Sequence, residues 1–85
     1  RKINMNKEIE IVEAKYPDAV ILYSRLGTYS IRGAKATPAA KLLGLIVSRH
    51  TTDRSLFCAF QADKLDTYLP KLVRAGYRVI ILEAE

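Results

Sequence analysis

The sequence predicts one small mixed α+β domain, an about five-stranded mixed sheet carrying three helices, in the order α-β-β-α-β-β-α-β. Three observations predict it. Apolar residues recur at helical spacing in three separate segments. Between them lie short apolar runs rich in branched and aromatic residues, each bounded by Gly, Pro, Thr or Asp. Finally, 85 residues with no internal linker, repeat or low-complexity segment leave room for one domain spanning 1–85.

Asn6 to Ala14 reads as the first helix, imperfectly periodic at Ile9, Ile11 and Val12 and ending before Tyr16-Pro17. Val20 to Leu26 is a strand. Gly27-Thr28 then suits a two-residue turn with glycine at its first central position, and Tyr29 to Arg32 returns as the second strand. That register pairs Leu26 with Tyr29 and Arg25 with Ser30. One face then presents Leu22, Leu26, Tyr29 and Ile31, and the other Tyr23, Arg25, Ser30 and Arg32. Thr37 is a natural N-cap with Pro38 at the first helical position, and Gly44 stops that helix after Leu43. Leu45 to Arg49 and Ser55 to Phe60 form a second hairpin about the loop His50-Thr51-Thr52-Asp53. The last helix turns Leu65, Leu69, Leu72 and Val73 inward, starts at Asp66 or Thr67 with Pro70 in its first turn, and ends at Gly76. Tyr77 to Leu82 closes the chain as a strand expected to be covered on both faces.

Composition is globular, 49% hydrophobic and 27% charged. A single cysteine, Cys58, excludes an internal disulfide and a multi-cysteine metal site, and is expected to be a small buried hydrophobe. No apolar run is long enough to span a bilayer and no leader pattern is present, so a cytoplasmic protein with no membrane contact is expected. The start at Arg1 suggests a fragment, or foreign residues ahead of Met5. Catalysis has little to rest on. His50 is the only histidine, the carboxylates are scattered, and no phosphate-cradling Gly-rich loop is present. No cofactor, metal or catalytic residue is therefore expected, and the chain is not read as an enzyme.

The net charge of +5 is unevenly distributed. Residues 1–24 and 55–85 are each neutral, whereas 25–54 hold Arg25, Arg32, Lys35, Lys41, Arg49 and Arg54 against Asp53 alone. A basic middle between neutral ends is the footprint of a polyanion contact, or else an ordinary solvated surface.

The wording of three blocks is more specific than their architecture. Leu65-Asp-Thr-Tyr-Leu-Pro-Lys-Leu-Val-Arg-Ala-Gly76 runs into a strand ending at Glu83. Lys15-Tyr-Pro-Asp-Ala-Val-Ile-Leu-Tyr-Ser-Arg-Leu-Gly27 and Ala39-Ala-Lys-Leu-Leu-Gly44 precede it. In this order, and over about residues 15–83, they resemble the N-terminal mismatch-recognition domain (domain I) of the MutS DNA mismatch repair family. The resemblance implies a DNA-contacting domain of a larger repair protein, its ATPase elsewhere, with double-stranded and possibly mismatched DNA as partner. It also implies that other domains of the parent or a second copy adjoin it. In that family a phenylalanine two residues after the turn glycine wedges beside the mispaired base, and a glutamate two further on hydrogen-bonds the base. Tyr29 takes the first place and Ile31 the second, so the acid is absent. The stretch from Gly27 to the Ala39 helix is also one residue shorter than the family pattern.

The expected DNA-binding residues are accordingly Tyr23, Arg25, Tyr29, Arg32, Lys35, Arg49 and Arg54. Guanidinium and ammonium groups would hold phosphates while Tyr23 or Tyr29 touches bases. The alternative is a protein-interaction or structural module that keeps the fold but has lost mismatch reading, with the surface around Tyr29 and Ile31 covered by a neighbour.

Overall fold

The computed structural model describes residues 5–52 and 54–83, and its elements follow the expected order. Helix α1 (Met5–Lys15) leads to strands β1 (Ala19–Arg25) and β2 (Thr28–Arg32), then helix α2 (Ala36–Leu43). Strands β3 (Ser48–Arg49) and β4 (Leu56–Gln61), helix α3 (Leu65–Arg74) and strand β5 (Arg78–Glu83) complete the chain. Asp53 of the polar loop, the acidic Glu85 and the residues ahead of Met5, with the expectation attached to them, lie outside the described residues.

The five strands run in the order β3-β4-β2-β1-β5, with β5 parallel to β1 and every other neighbour antiparallel. This order decides burial. The interior strand β1, between β2 and the edge strand β5, is buried from Ala19 to Tyr23, and its two faces serve two clusters. Val20 and Leu22 join Ile31, Cys58 and Phe60 under Ala39, Ala40 and Leu43 of α2 and Leu72 of α3. Ile21 and Tyr23 face the other way, against Ile9 and Val12 of α1 and Ile80 and Leu82 of β5. Each large aliphatic side chain so enclosed contributes about 1.5–3 kcal/mol. The second cluster draws only on α1, β1 and β5, so the rest of that sheet face is left open.

Strand β5 meets one expectation only in part. Val79 packs on the first cluster and Ile80 and Leu82 on the second, so both faces are covered, but incompletely, because β5 is an edge strand and Ile81 is 42% exposed. A parallel pairing needs a long crossover, which α3 provides, and the crossover delivers β5 to the outside of β1. The inward stripe of α3 is Leu65, Tyr68 and Leu72, while Val73 points outward.

Helix starts differ from the expected caps for a common reason. A 3-10 turn, Gly33–Lys35 before α2 and Ala62–Lys64 before α3, runs straight into each helix. The N–H of Ala36 reaches the carbonyl of Gly33, and that of Leu65 reaches Ala62. Leading donors are thus engaged by the backbone, and neither Thr37 nor Asp66 nor Thr67 is the N-cap residue. Pro38 still falls in the first turn of α2, but Pro70 is the sixth residue of α3 and deprives the Asp66 carbonyl of its helical donor. Both helix ends agree with the sequence. Gly44 and Gly76 have φ of 74° and 92°, and Tyr77 N–H closes back on the Leu72 carbonyl at 3.1 Å.

Cys58 is the small buried hydrophobe expected, its Sγ 3.6 Å from the Ala36 carbonyl to which it donates. Burial pushes its thiol up from the ordinary range. A folded-state value above the unfolded one gives a stabilisation that is complete below the unfolded thiol's titration, near pH ~8.5, and is lost as pH rises through the folded value. The urea midpoint of the native chain is therefore expected to fall from about pH 8 to about pH 10 more steeply than that of Cys58→Ala. Parallel slopes in the two chains would contradict the burial.

Candidate nucleic-acid interface

The β1–β2 hairpin determines what the open face carries. Its turn is Leu26-Gly27, one residue earlier than expected, so that Arg25 pairs with Thr28, Ser24 with Tyr29 and Tyr23 with Ser30. Both turn residues have positive φ, 51° and 76°, the type I′ arrangement. Thr28 belongs to β2 because a third strand engages it. It pairs with Gln61 of β4, and the Ala62 N–H donates to the Gly27 carbonyl at 2.8 Å. Moving a turn by one residue changes each cross-strand partner by two, so the side chains keep their faces. Only Leu26 changes status. Expected in the core, it stands at the hairpin tip, 91% exposed.

Beyond α1, Tyr23, Arg25, Ser30, Arg32, His50 and Phe57 line a shallow concavity of about 220 Å³. Phe57 comes from β4, directly opposite Arg32 of β2. His50 stacks on Phe57 with ring centroids 4.2 Å apart and planes at 27°. The Arg32 Nη2 donates to His50 Nε2 at 2.6 Å. A guanidinium only donates, so the imidazole accepts at Nε2 and carries its proton on Nδ1. Flat aromatic surface and oriented guanidinium thus share one exposed sheet face, the combination that stacks bases and holds phosphates.

Tyr23 is less available than the sequence suggests. At 4% exposure it packs against Ile9 of α1 and walls off the concavity. Burial pushes its phenol up; Arg25 and Arg32 pull the other way, while Glu8 adds to the rise. Both arginines therefore act on the ground beside this hydroxyl.

The remaining expected residues do not all join them. Tyr29 lies on the helix-bearing face, its ring 5.7 Å from that of Phe60, which in turn packs on Tyr68 at 4.8 Å. Ile31 is 1% exposed in the core. The patch that the protein-interaction alternative assigns to a neighbour is thus filled by the chain's own core. Lys35 reaches Tyr77, with Nζ 5.8 Å from the ring centroid. Nearby, Glu13 is pushed up by burial and by Glu10, with Lys35 opposing. Arg49 is opposite Leu56, in register with the helix-bearing face, and donates from Nη1 to the Arg54 carbonyl at 2.9 Å. Arg54 is exposed on the loop that leaves His50, and Lys41 is exposed on α2. The basic middle therefore divides: Arg25 and Arg32 share the open face, while Lys35, Lys41 and Arg49 lie away from it.

His50 and Phe57 are the residues that sequence reasoning missed, one placed in a loop and the other in a strand without a role at the site. The available signal was alternation along β4, which becomes informative only once β4 is paired with β2 rather than with β3 alone. Among the described residues, no three His, Cys, Asp or Glu side chains are grouped to hold a metal, and no helix is long and apolar enough to cross a membrane.

Comparison with known proteins gives a consistent answer. The family model of MutS domain I matches residues 4–85. The DNA mismatch repair protein MutS of Bacteroides fragilis is 37% identical over 82 residues, covering 93% of this chain and 10% of that protein. The protein of the same name from Christiangramia forsetii is 36% identical over 74 residues, 85% of this chain and 8% of its own length. That of Porphyromonas gingivalis is 37% identical over 75 residues, with the same coverages of 85% and 8%. The chain spans a tenth or less of the length of these curated relatives.

Proposed function

This chain belongs to the MutS domain I family, and from that membership and the open sheet face we propose that it is a DNA-contacting module of a larger mismatch-repair protein, non-catalytic by itself. The observation that carries the reading is the pairing of Arg25 and Arg32 with the Phe57–His50 stack on the surface that α1 leaves uncovered. In this reading Arg25 and Arg32 hold phosphates of double-stranded DNA, and His50 keeps the Arg32 fork in place. Tyr23 backs the concavity, and Tyr29 braces the hairpin from the other side of the sheet. Lys35, Arg49 and Arg54 add positive potential at the margins, steering the polyanion toward the face. Mismatched duplex is the expected preferred form, with the parent protein's other domains as further partners and a cytoplasmic location following from the same reading.

Binding isotherms on mispaired duplex, fully paired duplex and single-stranded DNA test this. Each neutralised phosphate contributes about −0.9 to the slope of log K against log salt on duplex DNA, so two to four contacts predict a slope of about −2 to −4 between roughly 50 and 200 mM salt. Affinity that is undetectable or indifferent to salt on all three DNAs removes the proposal.

A further inference from the structure

The open sheet face dips at one place, and the residues there are not those of a simple phosphate platform. Thr28 and Ser30 of β2 and Ala59 of β4 form the floor, with Ser30 directly opposite Ala59. All three are small, so the surface falls between the larger side chains around it. Tyr23 pairs with Ser30 and closes one side, while Phe57, stacked with His50, closes the end next to Arg32. Among the described residues, no acidic side chain lines the concavity.

A paired duplex does not reach into such a dip. Its bases are stacked and paired, so against a sheet it presents sugar and phosphate, which the guanidinium groups alone would meet. An unpaired base is different, because its π faces and its hydrogen-bonding edge are both free. The floor lies between β1 and β4, two strand intervals or roughly 9.5 Å apart, which gives room for one ring system. The Phe57–His50 stack sets aromatic surface beside it, and the Thr28 and Ser30 hydroxyls can donate or accept. Cations stand at both ends. Arg25 is paired with Thr28, and Arg32 lies four residues further along β2, roughly 13 Å away. A guanidinium has five donors, so the bond to His50 orients the Arg32 fork and occupies only one of them.

We infer that this concavity seats one unpaired base of single-stranded DNA, its ring over Ser30 and Ala59 and against the Phe57–His50 stack, while Arg25 and Arg32 hold backbone phosphates on either side. The inference rests on the DNA-contacting reading above and adds a second mode of contact on the same face, in which a base is held as well as the backbone. Every base has a π face, so this mode tolerates any sequence.

The test compares a thymidine pentanucleotide with an abasic strand of the same length and charge, by fluorescence anisotropy. The native chain is expected to bind the thymidine strand about 5- to 150-fold more tightly, the effect of one stacked base. In the same titration the Ala59 methyl resonance should move upfield under the ring current of a base seated above it, and the abasic strand should leave it in place. Ala59→Leu, at an exposed position of β4, fills the floor and should lose the preference without a lower thermal midpoint. Should leucine there disturb the sheet, Phe57→Leu, which removes the π surface and keeps apolar bulk, repeats the comparison. Equal affinity of the native chain for the two strands, or a preference that a folded Ala59→Leu chain retains, overturns the seat. Salt-sensitive binding of duplex DNA by the native chain then leaves the backbone contact standing. Undetectable or salt-insensitive binding to duplex and single strands alike overturns the DNA-contacting reading itself.

Discussion

Ile31→Glu is expected to unfold the domain rather than supply it with a base-reading acid. The family resemblance makes this substitution tempting, because a glutamate is the residue expected at this position. Ile31 is 1% exposed and pairs with Cys58 in a cluster formed by Val20, Leu22, Ala39, Ala40 and Leu43. No buried residue among those described is polar or charged, so a carboxylate placed there meets no donor. Losing the isoleucine removes about 1.5–3 kcal/mol of apolar burial. Burying an unpartnered polar group adds several more, about 2–7 kcal/mol depending on the reference state. A domain of this size has roughly 4–13 kcal/mol in total, so the loss is of the same size as the whole stability. Urea denaturation followed by circular dichroism checks this, with Ile31→Val, expected to cost only about 0.5–1.5 kcal/mol, as the control. Acid should partly rescue the glutamate chain, because burial raises that carboxyl and the protonated form is the one tolerated inside. A glutamate variant as stable as the native chain at neutral pH would mean that position 31 faces solvent and that the hairpin register is different.

The second large effect is on binding. Arg25→Ala with Arg32→Ala should reduce the salt slope on duplex DNA by about 1.8, two contacts at about 0.9 each, and lower affinity about 10- to 100-fold at low salt. The fold should survive. Arg25 is exposed and Arg32 is only partly buried, and the bond from Arg32 to His50 that is lost contributes about 1–2 kcal/mol. Lysine at position 32 should recover only part of the binding, because an ammonium lacks the planar fork that His50 orients. Lys41→Ala, on α2, is the matched control and should leave the slope unchanged. If Lys41→Ala weakens binding as much as the double substitution does, the open face is not the interface and the charge acts only through its total.

How much of this could be read from residues alone varies by element. Gly44 and Gly76 ended α2 and α3 where expected, because a left-handed C-cap is a local requirement that glycine meets by itself. The starts of those helices were misplaced. The competing 3-10 turns carry no strong residue signature, and they satisfy the same backbone donors that Thr37 or Asp66 would have capped. Tyr23, Arg25, Ser30 and Arg32 share one face in the expected and in the observed register alike, since a two-residue change of partner conserves the strand's alternation. Leu26 alone changes status, because the turn falls one residue earlier where Thr28 also pairs with Gln61 of β4, and that pairing joins residues far apart in sequence.

Element order, the sheet's mixed character, the two faces of the hairpin and the family resemblance all followed from sequence, because periodicity and turn chemistry act over a few neighbouring residues. Tertiary structure decided which strand is central, that β5 is an edge, that Phe57 and His50 meet Arg32, and that Tyr29 turns inward while Leu26 projects. Those outcomes depend on non-local strand pairing and on how far one short helix can cover a sheet, and neither is encoded within any single stretch of the chain.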